Sequence, residues 1–275
     1  MTDTAPARRA SRLGLFLPLV LLALAVAGWS VAWFWLSRQA AGRLDAAAAD
    51  LREAGYALTW ERRQVGGYPF RLSVTLAGAR LATEGGHALS TPRLEAVAAA
   101  YRPDRWTFRL PEGFTLERPL VGPTRVTGRL MRGSVSATDR LPRIAVEGRE
   151  LTFTPAGGAV LFPLASAGRV DFALQSRPEG PDEAGVLLRI ENAVAAPGTL
   201  LQRIGGDPKG RLVWEGVLSQ AGALRGSGWS GLVRNWAQTG GEMRVLQGEA
   251  AVGEASAKVE RGRLTVGGDG RLRGE

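Results

Sequence analysis

Two hydrophobic rhythms divide this chain. Residues 13 to 36, LGLFLPLVLLALAVAGWSVAWFWL, carry no charge. As a helix rising about 1.5 Å per residue, the run reaches about 36 Å, enough to cross the roughly 30 Å hydrocarbon layer of a membrane with some tilt. Pro18 sits within the first turns, where a proline is best tolerated. Trp29, Trp33 and Trp35 crowd the far end, where indole favours the membrane interface. Residues 37 to 54 are alanine-rich, with Leu44, Ala47, Ala48 and Leu51 at helical spacing and Gly55 as a stop signal. They predict a short stalk helix that continues from the span or hinges on it.

From Tyr56 the period changes from 3.6 to 2. Tyr56, Leu58 and Trp60 alternate with Ala57 and Thr59, ERRQVGG reads as a turn, and FRLSVTL from Phe70 alternates again. The same grammar returns at Trp106 to Leu110, in RVTGRLMRGSVSA, RIAVEGRELTFTP, GRVDFALQS, AGVLLRIEN, GRLVWEGVLSQ, GEMRVLQGEAAV and ASAKVERGRLTV. Glycine, proline or charged turns separate these segments, as in an antiparallel meander. APGTLLQRIGG and SGLVRNWAQTGG interrupt them as short helices, and GGDGRLRGE stops where another strand could begin. Strands do not alternate with long helices, which speaks against a parallel α/β sheet. The expected fold is mainly β. A cytoplasmic tail (1–12), a transmembrane helix (13–36) and a helical stalk (37–55) precede a curved antiparallel β-sheet domain with short helices (56–275).

Charge adds an orientation. Arg8, Arg9 and Arg12 precede the apolar run and place the tail in the cytoplasm, a bias that Arg38 and Arg43 weaken only slightly. Everything after residue 37 is then expected outside the cytoplasm. A cleaved signal peptide is the rival, with Ala25-Val26-Ala27 as its cleavage pattern, but the apolar run continues nine residues past that point. The net charge is +9, with two lysines among 35 basic residues. Codon usage in a GC-rich genome accounts for that arginine excess, while a basic surface still attracts anions such as lipid head groups. There is no cysteine, which removes disulfides and thiolate metal sites.

Candidate chemistry is thin. His87, the one histidine, lies in the glycine-flanked loop TEGGHALSTP with no partner nucleophile nearby. Asp182-Glu183, and Asp139 with Glu147, are what any chain with 26 acidic residues offers. GGDPKGR lacks the phosphate-loop pattern, and GWSG at 228–231 is half a nucleophile elbow, with Leu232 where the second glycine belongs. No metal, cofactor, catalysis or nucleic-acid partner is expected. The apolar strand positions say more. Phe70, Leu72, Val74, Leu76, Trp106 and Phe108 are the candidate site, with Leu110, Phe153, Phe172, Leu174, Leu212 and Trp214 in the same rhythm. Their bland role is a closed core. Their sharper role is a groove for an apolar ligand such as acyl chains, since a long sheet with few helices has limited means of covering a face.

WERRQVGGYPFRLSVTLAGARL (60–81) resembles the signature of the bacterial domain-of-unknown-function 2125 family. The resemblance extends to LSTPRLEAVAAAYRPDRWTFRLP (89–111) and to 232–272. It implies a proteobacterial inner-membrane protein, single-pass, with its β-rich C-terminal domain in the periplasm. It carries over no functional residue. The strand grammar is also similar to that of AsmA-type envelope proteins, which are associated with lipid handling. The expected function is a non-enzymatic envelope protein that binds or shields lipid or another apolar ligand along its sheet. The alternative is a scaffold for other envelope proteins. Pro69 is expected to fix the start of the strand and, through it, the register.

Overall fold

A computed structural model describes residues 13–136, 141–177, 180, 182–205, 209–224, 228–267 and 271–274. The tail over 1–12, Asp139 and the Gly206-Asp207-Pro208 turn lie outside the described residues.

The apolar run and the alanine-rich segment form one uninterrupted helix, α1 (Leu13–Glu53). It is long and apolar enough to cross a membrane. Its 41 residues reach about 62 Å at about 1.5 Å each, so about half of that length remains beyond a hydrocarbon layer. The stalk is therefore the second half of the same rod. Gly55, at φ 78, ends it. The amides of Ala54 and Gly55 donate to the carbonyls of Asp50 (3.1 Å) and Arg52 (3.0 Å), satisfying acceptors that a helix end leaves open.

The described strands form one 16-stranded sheet. β1 (Tyr56–Thr59) and β2 (Arg62–Gly66) lie end to end along β3 (Arg71–Thr83), with β4 (Ala88–Ala99) on its other side. β5 (Arg102–Arg109) and β6 (Phe114–Arg118) share β4 in the same way. β7 (Gly122–Thr127) and β8 (Leu130–Ser136) share β9 (Arg143–Pro155). β10 (Leu164–Ser176), β11 (Ala184–Ala195), β12 (Gly210–Leu218) and β13 (Glu242–Val252) follow in order. β14 (Ala255–Val259) and β15 (Gly262–Val266) share β13, and β16 (Leu272–Gly274) ends the order. Each pair of short strands is thus one long strand broken once. The result is an antiparallel meander in which successive long strands are neighbours.

Four segments differ from expectation. ERRQVGG supplies strand β2 rather than a turn. Its charges are accommodated because β2 is an edge strand with water on one side. ALSTPRLEAVAA and FTLER, given no element above, are β4 and β6. The final residues do form a strand, β16. The two short helices are α2 (Leu200–Gly205) and α3 (Gly228–Gln238). Trp236 of α3 is buried and donates its indole N–H to the Ser219 carbonyl at 2.7 Å.

One break shows how little freedom these corners have. Gly113, between β5 and β6, has φ 79, and a Cβ there would stand 2.3 Å from the Val126 carbonyl oxygen. Its own carbonyl accepts the Thr91 hydroxyl at 2.7 Å, a buried hydrogen bond. Gly113→Ala is expected to cost more than about 1 kcal/mol, because strained φ and a backbone clash act together. Denaturant unfolding of the variant measures it.

The register sorts side chains by face across the whole sheet. Val65, Val74, Ala96, Phe108 and Gly133 stand opposite one another in turn from β2 to β8. The row continues through Val146, Phe172, Leu188, Trp214, Gly248 and Val259 to β14. At about 4.8 Å per strand, the row runs about 48 Å along the sheet. One position over, on the other face, run Gln64, Thr75, Glu95, Arg109, Arg132, Glu147, Asp171, Arg189, Val213, Glu249 and Lys258. Arg132 and Arg149 donate to Glu147 at 2.6 and 2.8 Å, and Arg169 pairs with Asp171 and Arg211 with Glu249. Hydrogen bonds from Arg149 and then Arg132 hold the Glu147 carboxyl below its ordinary pKa. Such exposed pairs add little stability singly. They keep this face in water, so the apolar row must find other cover.

Candidate functional site

Cover comes first from α1. Its second half lies over the near end of the apolar face. Arg63 of β2 fixes it there, donating to Asp45 Oδ1 at 2.6 Å and to the Ala41 carbonyl at 3.3 Å. Two packed clusters join helix to sheet. In one, Trp33 clusters with Leu72 and Ala100, and Leu36 and Trp106 pack against them; in the other, Leu44 of the helix and Leu94 and Ala96 of the sheet pack against Val74, Leu76 and Ala79. Leu72 is 1% exposed.

The contact is incomplete. Between α1 and strands β3, β4, β5 and β8 lies a cavity of about 500 Å³, within the range of small-molecule and cofactor sites. From the sheet it is lined by Leu72, Val74, Leu76, Leu94, Ala96, Pro103, Trp106, Phe108 and Val135. Leu36, Gln39, Ala40, Arg43, Leu44 and Ala47 line it from α1, so Gln39 and Arg43 are its polar side chains. The space exists because Ala96, Ala40 and Ala47 stop short where larger residues would close it.

Leu72, Val74, Leu76, Trp106 and Phe108 thus line one cavity, whereas Phe70 does not. The strand begins at Arg71, so Pro69 stands in the preceding turn rather than at the strand's first residue. The Tyr68–Pro69 peptide is cis. Phe70 is 66% exposed and faces Trp29 of α1, with ring centroids 6.4 Å apart. The two-residue rhythm runs through Phe70 without showing that the chain has not yet joined the sheet. The helix side of the site was half legible: Leu44 and Ala47 stand at helical spacing, but nothing marked Gln39 or Arg43. Leu94 and Ala96 went unread because Pro92 and a run of alanines hide β4.

A second cavity, of about 380 Å³, lies on the same face at the far end of the sheet. Ile190, Leu212, Ala250 and Ala257, directly opposite one another, form its floor, and Leu201 and Ile204 of α2 line it as well. Between the cavities Val146 is exposed and Phe172, Leu188 and Trp214 are half-buried. In the cross-strand pairs Phe108–Gly133 and Trp214–Gly248, a Cβ on the glycine would come within 2.3 and 3.0 Å of the ring. The rings therefore lie down over the glycines, and the track stays low.

The other candidates take structural places. His87 is exposed in the turn between β3 and β4. Asp182 Oδ1 accepts the Gly222 amide at 2.7 Å, and Glu183 pairs with Arg244. GWSG lies at the start of α3. Among the described residues no three His, Asp or Glu side chains gather as a metal site would require.

A family model described as "Uncharacterized protein conserved in bacteria (DUF2125)" matches residues 33–275. The chain belongs to the DUF2125 family. The match begins at Trp33, so the second half of α1 and the whole sheet of this DUF2125 protein fall within it, and the cavity with them. It does not show the likeness to AsmA-type proteins. No curated protein and no solved structure matches the chain.

Proposed function

We propose that this DUF2125 protein is a single-pass inner-membrane protein whose sheet, on the periplasmic side, binds or shields lipid without catalysis. The observation that carries the proposal is the cavity between α1 and the sheet, apolar on nearly every side, continued by an uncovered apolar row. Water gains nothing from such a surface, while an acyl chain released from water does. Arg43 is exposed and borders the cavity, so an amphiphile with an anionic head suits the site better than a plain hydrocarbon.

The test uses the full chain, purified in mild detergent and released for native mass spectrometry. Lipid adducts that survive at energies stripping bulk detergent are the expected result. A bare protein across all conditions would sink the proposal. A single discrete protein adduct after crosslinking in membranes would favour a scaffold instead.

A further inference from the structure

The polar and aromatic contacts at the near end of the sheet fix its height on α1. The Trp29 indole N–H donates to the Pro69 carbonyl at 2.9 Å, and the Trp33 indole N–H to the Arg71 carbonyl at 2.8 Å. The Ser30 and Tyr68 hydroxyls lie 2.9 Å apart in a hydrogen bond, and the Ser30 hydroxyl also donates to the Val26 carbonyl at 2.7 Å. Tyr68 packs edge-on against Trp33 at 5.4 Å. The 67–71 turn is therefore held against residues 29 to 34 of α1, inside the charge-free run. About twenty residues cover a 30 Å hydrocarbon layer, so a span beginning at Leu13 emerges near Trp33. The turn sits at that boundary.

We infer that the 67–71 turn, with the neighbouring hairpin end at 100–101, is seated in the bilayer leaflet from which α1 emerges. This rests on the reading of α1 as a membrane span. The outward surface of the two turns has the required chemistry. Phe70 is 66% and Tyr101 73% exposed, and the turns are joined by the Ala100 amide donating to the Phe70 carbonyl at 2.9 Å. Aromatic side chains favour that depth, and the exposed Arg71 and Arg102 directly follow Phe70 and Tyr101 in the chain as phosphate-seeking groups would. Backbone entering a water-poor layer must have its polar groups satisfied within the protein. Here the Pro69 and Arg71 carbonyls are taken by indoles, and the Arg71 amide donates to the Gly67 carbonyl at 2.9 Å. The cavity lining on α1 begins at Leu36, three residues or about 4.5 Å beyond Trp33. It is thereby brought to head-group level, where lipid could enter sideways.

The absence of cysteine makes the test direct. Single nitroxide labels go on the full chain at Leu22→Cys, Phe70→Cys, Tyr101→Cys and His87→Cys, in phosphatidylethanolamine–phosphatidylglycerol vesicles. All four side chains are exposed, so the labels displace no packed core. Accessibility to oxygen and to a water-soluble nickel chelate is then read by electron paramagnetic resonance. The oxygen-to-nickel ratio at Phe70 and Tyr101 is expected to be several-fold above that at His87, at the far end of β3, and to approach that at Leu22. Phe70 and Tyr101 matching His87 while Leu22 stays lipid-like would overturn the inference and leave the span intact. A water-like Leu22 would overturn the span, and the inference with it.

Discussion

Trp33→Ala is expected to loosen α1 from the sheet, at a cost of about 3–5 kcal/mol, the range for removing a buried aromatic side chain. Trp33 is 6% exposed and packs with Leu36, Leu72, Ala100 and Trp106. Its loss also leaves the Arg71 carbonyl without its indole donor, and an orphaned acceptor adds about 1–3 kcal/mol that does not simply sum with the cavity cost. Limited proteolysis of the full chain in lipid nanodiscs would follow the change, because a sheet freed from its rod exposes Leu72 and Val74. Trp33→Phe separates the two contributions. It keeps most of the packing and drops only the donor, so its cost is expected to be about 1–3 kcal/mol. An unchanged cleavage rate in Trp33→Ala would mean that α1 and the sheet are held together elsewhere.

The second large effect concerns occupancy rather than stability. Ala96→Trp places an indole in the space that Ala96 and Ala40 leave open between sheet and helix. The new ring is expected to fill the cavity, with a stability change within the roughly 1–3 kcal/mol typical of overpacking. Lipid adducts in native mass spectra should fall at least about tenfold if the site loses about 1.4 kcal/mol of binding. Leu161→Trp, at an exposed position away from the cavity, is the matched control and should retain them. Equal lipid retention in both variants would move the binding site away from this cavity. The far cavity beneath α2 would then be the next place to plug.

Much of this architecture was legible because water enforces it. A strand with one face against α1 and one against solvent must alternate, and Leu72, Val74 and Leu76 against Ser73 and Thr75 do so cleanly. The alternation fails as a guide where its cause is absent. Arg62 to Gly66 is an edge strand with Val65 as its lone large apolar residue, so its charges read as a turn. β4 carries alanines on its apolar face, at Ala96 and Ala98, has Pro92 in its middle, and turns its β-branched Val97 to the other face, so it offered little contrast between its two faces. Phe70 erred the other way. Its apolar character belongs to the exposed turn against Trp29 rather than to the sheet. The cavity itself could not be read, because a void is made by what small residues omit, and only the fold shows which small residues face each other.

The meander has a consequence for how such a chain can change over generations. Since each long strand touches only the ones before and after it, a hairpin such as Leu164–Ala195 is a removable rung. Copying it would lengthen the oily track by two strand spacings, about 10 Å, with no demand on the rest of the molecule beyond accepting a familiar neighbour. Deleting it would shorten the track as simply. The distance this protein spans is thus a quantity that duplication can adjust in even steps, while the end that grips α1 stays as it is.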